Sequence, residues 1–182
     1  IPEVVYIEHD VTLSDAEMTE YIKLNTMLNC TLDDEIVSFN ENQKFAKLQT
    51  LCDGFVYVND TVVRSEHSTK LDEVVDFVDR CVSEGEQVLL FYSFREEKVW
   101  LEEKMKKLHL KFTDVKDKRF MEKWNEGEVE VLLGHGQSMS HGLNLHQSGA
   151  RIMVWSTIPY DYEIFSQANA RLHRQGQRKN TQ

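Results

Sequence analysis

The chain has 182 residues and a mass of 21.3 kDa, enough for about one domain with a sizeable core. Its 41% hydrophobic and 29% charged residues are typical of a globular protein, and no apolar run approaches the roughly 20 residues that a membrane-spanning helix needs. The net charge of −10, from 21 Lys and Arg against 31 Asp and Glu, argues against nucleic-acid binding by bulk electrostatics, so any such contact must be local.

The cysteines are odd in number and widely spaced, with no Cys-x-x-Cys pair. Cys30, Cys52 and Cys81 are therefore interpreted as reduced, mostly buried thiols of a cytosolic protein, and no metal site is predicted. The chain starts at Ile1 rather than Met, so we expect that it is a part of a longer protein.

Residues 1–67 are predicted to form an introductory region of helices and a β-hairpin. A capping-box pattern indicates where its first helix begins, and two turn-forming residues between apolar runs indicate the hairpin. In chain order, the predicted elements are a strand at Val4–Ile7, a helix opened by Ser14-Asp15-Ala16-Glu17, a helix opened by Asn40-x-x-Gln43 and ended by Gly54, and a hairpin turning at Asn59-Asp60.

From residue 68 onward the hydrophobic pattern alternates between helical and strand periods, which defines a second predicted domain, residues 68–182. Strands that are apolar on both faces and alternate with helices indicate an α/β fold with a mainly parallel central sheet covered on both sides. The predicted strands are Val88–Tyr92, Leu110–Val115, Val129–Leu133 and Ile152–Trp155; the predicted helices are Leu71–Val82, Trp100–Leu108, Phe120–Trp124 and Tyr160–Leu172.

Ligands of such sheets collect at the carboxyl ends of the strands, and the chain after Ile152–Trp155 carries two nearby arginines. Arg171 and Arg174 share a helix face with Gln167 if the last helix continues through them. Two converging guanidinium groups suit a phosphate, whose oxygens they bind in pairs. The alternative is a solvated basic helix end that complements the helix dipole, and spacing alone leaves both interpretations open.

The second polar segment, residues 134–145, follows another predicted strand. Its three glycines allow backbone N–H groups to approach a phosphate chain closely, although an ordinary surface loop has the same composition. His135 and His141 are more simply explained as hydrogen-bonding or structural residues than as general bases, because the sequence places no carboxylate partner beside them. The chain also lacks a Walker A phosphate loop, so an arginine clamp here suggests half of a composite site.

These segments resemble a known family. Gln-Ala-Asn-Ala-Arg-Leu-His-Arg-Gln-Gly-Gln at 167–177 strongly resembles motif six of superfamily-two helicases, in the Snf-type branch of DNA translocases. The resemblance covers nearly the whole chain and is strongest over 68–178. Further similar segments are Ser138–Leu145 (motif five), Val88–Phe94 (motif four), Ser68–Leu71 (the lead into the second motor domain), and Trp124–Gly127 before Leu132–His135 (phage and prophage members).

The resemblance implies a RecA-like three-layer sandwich that serves as the second motor lobe of an ATP-dependent DNA helicase or translocase. In that family ATP and Mg²⁺ are held by a first lobe, and the second lobe closes over them. The implied partners are DNA and that first lobe, with no membrane, in the cytoplasm of a bacterial host if the protein is phage-encoded. The 182 residues alone are expected to be inactive.

The resemblance also implies roles for individual residues. Arg171 and Arg174 correspond to the arginine fingers, and Gln167 couples the nucleotide to the interlobe cleft. The remaining implied site residues are Gly142, Leu143 and Asn144 at the ATP cleft, and Ser93, Ser138 and His141 at the DNA backbone. Two other functions stay open: a non-catalytic DNA- or protein-binding module derived from a helicase lobe, and a self-contained enzyme that binds a sugar nucleotide.

Overall fold

The computed structural model describes residues 3–139, 143–173 and 181–182. It divides the chain into two compact units, Ile1–His9 with Val75–Gln182, and Asp10–Val74. The boundary falls inside a helix, a few residues after the predicted domain boundary at 67/68, which stays a prediction. None of the described helices is long and apolar enough to cross a lipid bilayer.

The smaller unit consists of two helices and two hairpins. The predicted capping box is confirmed at the start of its first helix, where the Ser14 hydroxyl accepts from the N–H of Glu17 at 3.2 Å and Glu17 Oε2 accepts from the N–H of Ser14 at 2.8 Å. Its elements are α1 (Asp15–Met27), β1 (Asn29–Leu32), β2 (Glu35–Ser38), α2 (Lys44–Cys52), β3 (Phe55–Val58) and β4 (Thr61–Arg64).

The two hairpins of this unit differ in how well the sequence predicts them. The β3–β4 hairpin is confirmed, and Asn59 in its turn has a φ of 53°. The β1–β2 hairpin was not predicted; it turns at Asp33 and Asp34, with φ of 48° and 60°. Both hairpins contribute to one core, whose buried members are Leu24, Cys30, Leu32, Val37, Leu51, Val56 and Val63.

The larger unit is built on a four-stranded parallel sheet flanked by helices, which confirms the predicted α/β, RecA-like fold. The strand order is β6-β7-β5-β8. The elements are α3 (Thr69–Ser83), whose start belongs to the smaller unit, β5 (Val88–Tyr92), α4 (Arg95–Lys107), β6 (Phe112–Asp114), α5 (Phe120–Asn125), β7 (Val131–His135), α6 (Gly136–Met139), β8 (Ile152–Trp155) and α7 (Tyr162–Asn169).

The central strands are buried because they are apolar on both faces. Val88 to Phe91 of β5 and Val131 to Leu133 of β7 have no exposed surface, so each strand packs against helices on both sides of the sheet. The main cluster consists of Leu89, Phe91, Trp124, Val129, Leu132, Met139, Leu145, Ala150, Ala168 and Leu172. The cysteines are free thiols, two of them buried (Cys30 and Cys81) and Cys52 half-buried.

Several predicted bounds are wrong by two or three residues. The strand predicted at Leu110–Val115 is limited to β6, the strand predicted at Val129–Leu133 begins at Val131, and the last helix ends at Asn169. The largest error is the strand at Val4–Ile7. In the described chain only Val4 forms a bridge there, to Thr181.

The outer edge of β8 is covered by residues from both ends of the chain. The N–H of Met153 donates to the Gln182 carbonyl at 2.6 Å, and the N–H of Gln182 donates to the Arg151 carbonyl at 2.8 Å. The N–H of Val5 in turn donates to the Thr181 carbonyl at 2.9 Å. Backbone groups that an edge strand leaves unpaired are thereby satisfied.

Candidate functional site

Three neighbouring strands end side by side at the carboxyl edge of the sheet. Tyr92 of β5 is in register with His135 of β7, and Phe91 is in register with Trp155 of β8. The residues that follow these strand ends therefore come together at one edge, which is where parallel sheets bind ligands.

Ser93, the first residue after β5, is held by three different elements. Its N–H donates to Glu97 Oε2 of α4 at 2.8 Å, and its hydroxyl donates to the Thr157 carbonyl after β8 at 2.9 Å. Its carbonyl lies 3.1 Å from Nε2 of His135. A carbonyl only accepts, so His135 carries a proton on Nε2. The ends of β5, β7 and β8 are thus joined at one serine.

Glu97 fixes this arrangement from inside α4. Its Oε2 accepts from the N–H groups of both Ser93 and Phe94, at 2.8 and 3.1 Å, which satisfies two donors that a helix start leaves unpaired. The residue is fully buried, and within the described chain its Oε1 has no hydrogen-bond partner. Sequence reasoning missed Glu97, because the predicted helix began only at Trp100, whereas α4 begins at Arg95. The available signal was an acidic residue just before the predicted helix, where a helix N-terminus favours one.

An ionic cluster connects α4 to the end of the edge strand. The Lys98 ammonium pairs with Asp114, the last residue of β6, and lies 3.2 Å from Glu102 Oε1. Burial is the largest single influence and opposes both charges, but the hydrogen bonds and charges of the cluster together outweigh it. The pKa of Lys98 is therefore raised, with help from Glu102, and that of Asp114 is lowered, with help from Lys116. Burial also raises the pKa of Tyr92 nearby. The Lys98 charge is therefore neutralised by the protein itself.

The C-terminal end of α7 is anchored to the last residue of β8. The indole N–H of Trp155 donates to Asn169 Oδ1 at 2.8 Å, and the indole stacks on Phe91 with 4.1 Å between ring centroids. At the other end of α7, Asp161 Oδ1 accepts from the N–H of Glu163 at 2.8 Å, an ordinary N-cap. Asn169 is nearly buried, so α7 is fixed just before the two arginines.

The predicted glutamine and first arginine do not lie on one continuous helix, because α7 ends at Asn169. Gln167 donates from Nε2 to Glu163 Oε1 at 2.8 Å, one turn earlier. Arg171 lies in the turn after α7, where its N–H donates to the Ala168 carbonyl at 3.0 Å and its side chain is half-buried. Arg174 lies outside the described residues, so its convergence with Arg171 stays a prediction.

The second predicted segment is described in part. Ser138 is exposed on α6 and donates from Oγ to the His135 carbonyl at 3.1 Å. Leu143 packs against the main core and Asn144 is exposed. His141 and Gly142 lie outside the described residues.

The hydroxyls of Ser93 and Ser138 both donate to backbone carbonyls. A phosphate oxygen accepts hydrogen bonds, so either hydroxyl must rotate away from its carbonyl to donate to a DNA backbone. Ser138 is exposed, whereas Ser93 is half-buried. Of the two, Ser138 is the better placed for such a contact.

No group of three or more His, Cys, Asp or Glu side chains in residues 3–139, 143–173 and 181–182 is arranged to hold a metal ion. The carboxylates at the sheet edge are already engaged: Glu97 by backbone N–H groups and Asp114 by Lys98. The chemistry that these described residues offer is therefore hydrogen bonding and positioning.

Comparison with solved structures supports the fold. The chain is similar to the C-terminal part of the Fun30 ATPase domain, with a TM-score of 0.57 and 24% identity over 63% of this chain and 39% of that one. It is also similar to Dbp5 of S. cerevisiae, solved with RNA and ADP BeF3, with a TM-score of 0.52 and 15% identity over 62% of this chain and 31% of Dbp5. The larger unit thus shares a RecA-like α/β fold with these proteins.

Among curated proteins, the chain is 28% identical over 141 residues to protein p41 of Acyrthosiphon pisum secondary endosymbiont phage 1. The matched region is 77% of this chain and 29% of p41, so the chain spans less than a third of that relative. No family model matches the chain.

Proposed function

We propose that this chain is the second motor domain of an ATP-dependent DNA helicase or translocase of the Snf type. In this proposal a first lobe of the same polypeptide holds ATP and Mg²⁺, and this domain supplies Arg171 and Arg174 to the triphosphate. The similarity to a phage protein supports a phage or prophage origin, and hence action in the cytoplasm of a bacterial host.

The observation that carries the proposal is the anchoring of α7. The bond from Trp155 to Asn169 holds the end of α7 against the last residue of β8, two residues before Arg171. The segment that resembles motif six therefore starts from a fixed point beside the sheet edge to which Ser93 and Ser138 belong. A flexible arginine would lose much of its binding energy to ordering, so a fixed starting point favours a role in the transition state.

The chemistry of phosphoryl transfer fits a divided site. The protein chiefly positions groups and neutralises charge that develops on the transferred phosphoryl group, and an arginine finger contributes about 10³–10⁵ in rate. If the arginines come from a separate lobe, hydrolysis requires closure of the two lobes. Closure moves Ser138 and its neighbours relative to the first lobe. Each round of ATP turnover therefore changes the contacts of the protein with DNA.

The test is the variant Arg174→Ala in the full-length protein. We expect ATP to bind as before while DNA-stimulated turnover falls by about 10³-fold or more. Arg80→Ala is the matched control, since Arg80 is an exposed arginine on α3, above the Phe77 ring. Wild-type turnover in Arg174→Ala would remove this residue from the finger role.

The isolated 182 residues provide a second test. Because the chain has no Walker A loop, we expect no measurable ATPase activity from it, with or without DNA. DNA-stimulated turnover by the fragment would contradict the divided site. A full-length protein that binds DNA but never hydrolyses ATP would favour the alternative, a non-catalytic binding module.

A further inference from the structure

Helices α6 and α7 touch at a position that has room for glycine alone. A Cβ built on Gly136, the first residue of α6, would lie 2.9 Å from Cγ2 of Ile164 in α7 and 3.3 Å from Cη2 of Trp155. Gly136 does not have the positive φ that favours glycine, so close packing, not backbone conformation, is what excludes a side chain here.

This contact connects the two segments of the candidate site. Gly136 follows His135 directly and lies two residues before Ser138, the exposed hydroxyl. Ile164 lies on α7, one turn before Gln167 and Ala168, and the same helix ends at the Asn169 anchor. A displacement of α6 by a bound ligand is therefore passed to α7 without an intervening loop, because packed side chains cannot be compressed.

We propose that Gly136 is a positioning residue that couples nucleic-acid binding near Ser138 to the placement of α7 and of Arg171 after it. The coupling rests on the proposed function. It adds the structural path by which binding at α6 would displace α7. Binding at α6 shifts Gly136 against Ile164, α7 turns about its Trp155–Asn169 anchor, and the segment with Arg171 moves toward the nucleotide. Gly136 itself contacts neither ligand.

The experiment uses the full-length protein with Gly136→Ala. The added methyl group must push Ile164 or α6 away, since real Cβ atoms do not approach to 2.9 Å. We expect the stimulation of ATP hydrolysis by DNA to fall about 2- to 30-fold, the usual effect of changes along a coupling route. DNA affinity without ATP and the unstimulated ATPase rate should change less than twofold.

A compensating variant distinguishes a loss of coupling from a general loss of stability. Ile164→Leu moves the branch from Cβ to Cγ and removes the Cγ2 methyl group at nearly constant volume, so Gly136→Ala with Ile164→Leu should recover most of the stimulation. Should Gly136→Ala fail to fold, Ile164→Ala tests the same contact by opening a gap, and it should also reduce stimulation.

Gly127→Ala is the control for a general loss of stability. Its φ of 72° makes alanine costly there, but a Cβ at this position would meet no atom within 4 Å.

The outcomes are distinct. Stimulation that stays at the wild-type level in both Gly136→Ala and Ile164→Ala would overturn the coupling while leaving the proposed function intact. An equal loss in Gly127→Ala would also overturn it, because lost stability alone would then explain the effect. A wild-type protein that DNA does not stimulate at all would contradict the proposed function, and the coupling with it.

Discussion

The carboxylate of Glu17 in α1 accepts two hydrogen bonds from Thr69, the first residue of α3, one from its N–H at 2.8 Å and one from its hydroxyl at 2.6 Å. The same carboxylate accepts from the N–H of Ser14 at 2.8 Å. One side chain therefore satisfies unpaired donors at the N-termini of two helices, although Glu17 and Thr69 lie 52 residues apart in sequence. It also places a negative charge where both helix dipoles favour one.

Replacing Glu17 should destabilise the protein through both helix starts. We expect Glu17→Ala to lower the free energy of unfolding by about 1–3 kcal/mol, since each lost cap costs ~1 kcal/mol. Urea denaturation followed by circular dichroism measures the change. Glu66→Ala, which removes an exposed carboxylate, is the matched control and should have little effect. Equal stability of the two variants would show that the Glu17 bonds contribute nothing.

The Glu17 bonds should also make stability depend on pH. Burial alone would raise the pKa of Glu17, but the hydrogen bonds from Thr69 and Ser14 outweigh it and lower the pKa. A carboxyl group with a lowered folded pKa stabilises the protein above its unfolded pKa of about 4.3, and the contribution is lost as pH falls through the folded value. The difference between wild type and Glu17→Gln should therefore shrink below about pH 4; a constant difference would contradict this.

The contribution of His135 to stability should depend more on its hydrogen bond to the Ser93 carbonyl than on its aromatic ring. His135→Gln can still donate to the Ser93 carbonyl, whereas His135→Phe keeps the edge contact with Tyr92, at 5.6 Å between ring centroids, and loses the donor. We expect the phenylalanine variant to be less stable than the glutamine variant by about 1–2 kcal/mol. Heteronuclear NMR of the wild-type imidazole should show the proton on Nε2. A neutral ring protonated only on Nδ1 would contradict the bond to Ser93.

Trp155→Phe tests the anchor of α7. Phenylalanine keeps a ring against Phe91 but cannot donate to Asn169, whose nearly buried oxygen then loses its partner. We expect a loss of about 1–3 kcal/mol in stability. If α7 positions the arginines, DNA-stimulated ATP turnover of the full-length variant should fall as well, when measured at a temperature where the variant is fully folded. Met153→Leu, a conservative change on the same strand, is the control.

Local patterns predicted the elements whose structure depends on local interactions. The Ser14 capping box, the Asn59-Asp60 hairpin and the apolar run Val88–Tyr92 all appear where the sequence places them. The β1–β2 hairpin was missed because its turn is Asp33-Asp34, two residues that adopt positive φ less readily than Asn-Gly.

The site was predicted less completely than the fold, for a physical reason. The strand pattern shows that Ser93 and Ser138 follow strands of a parallel sheet, but their selection as site residues came from the family resemblance, and the order of the strands came from the structure. The partners that fix the edge are distant in sequence: Thr157 lies 64 residues from Ser93, and Ile164 lies 28 residues from Gly136. Such contacts depend on how helices pack on the sheet, which hydrophobic period does not specify.

The covering of β8 by residues 181–182 has a consequence for self-association. A peptide or another copy of the chain that tried to extend the sheet on this side would first have to displace Gln182 from Met153 and Arg151. Among the described residues, β6 forms the opposite edge of the sheet, and its three residues offer too short a ladder for a stable added strand. One edge of the sheet is therefore covered by residues 181–182, and the strand at the other edge is too short to pair stably. Fibril-like growth by strand addition to this sheet should be disfavoured.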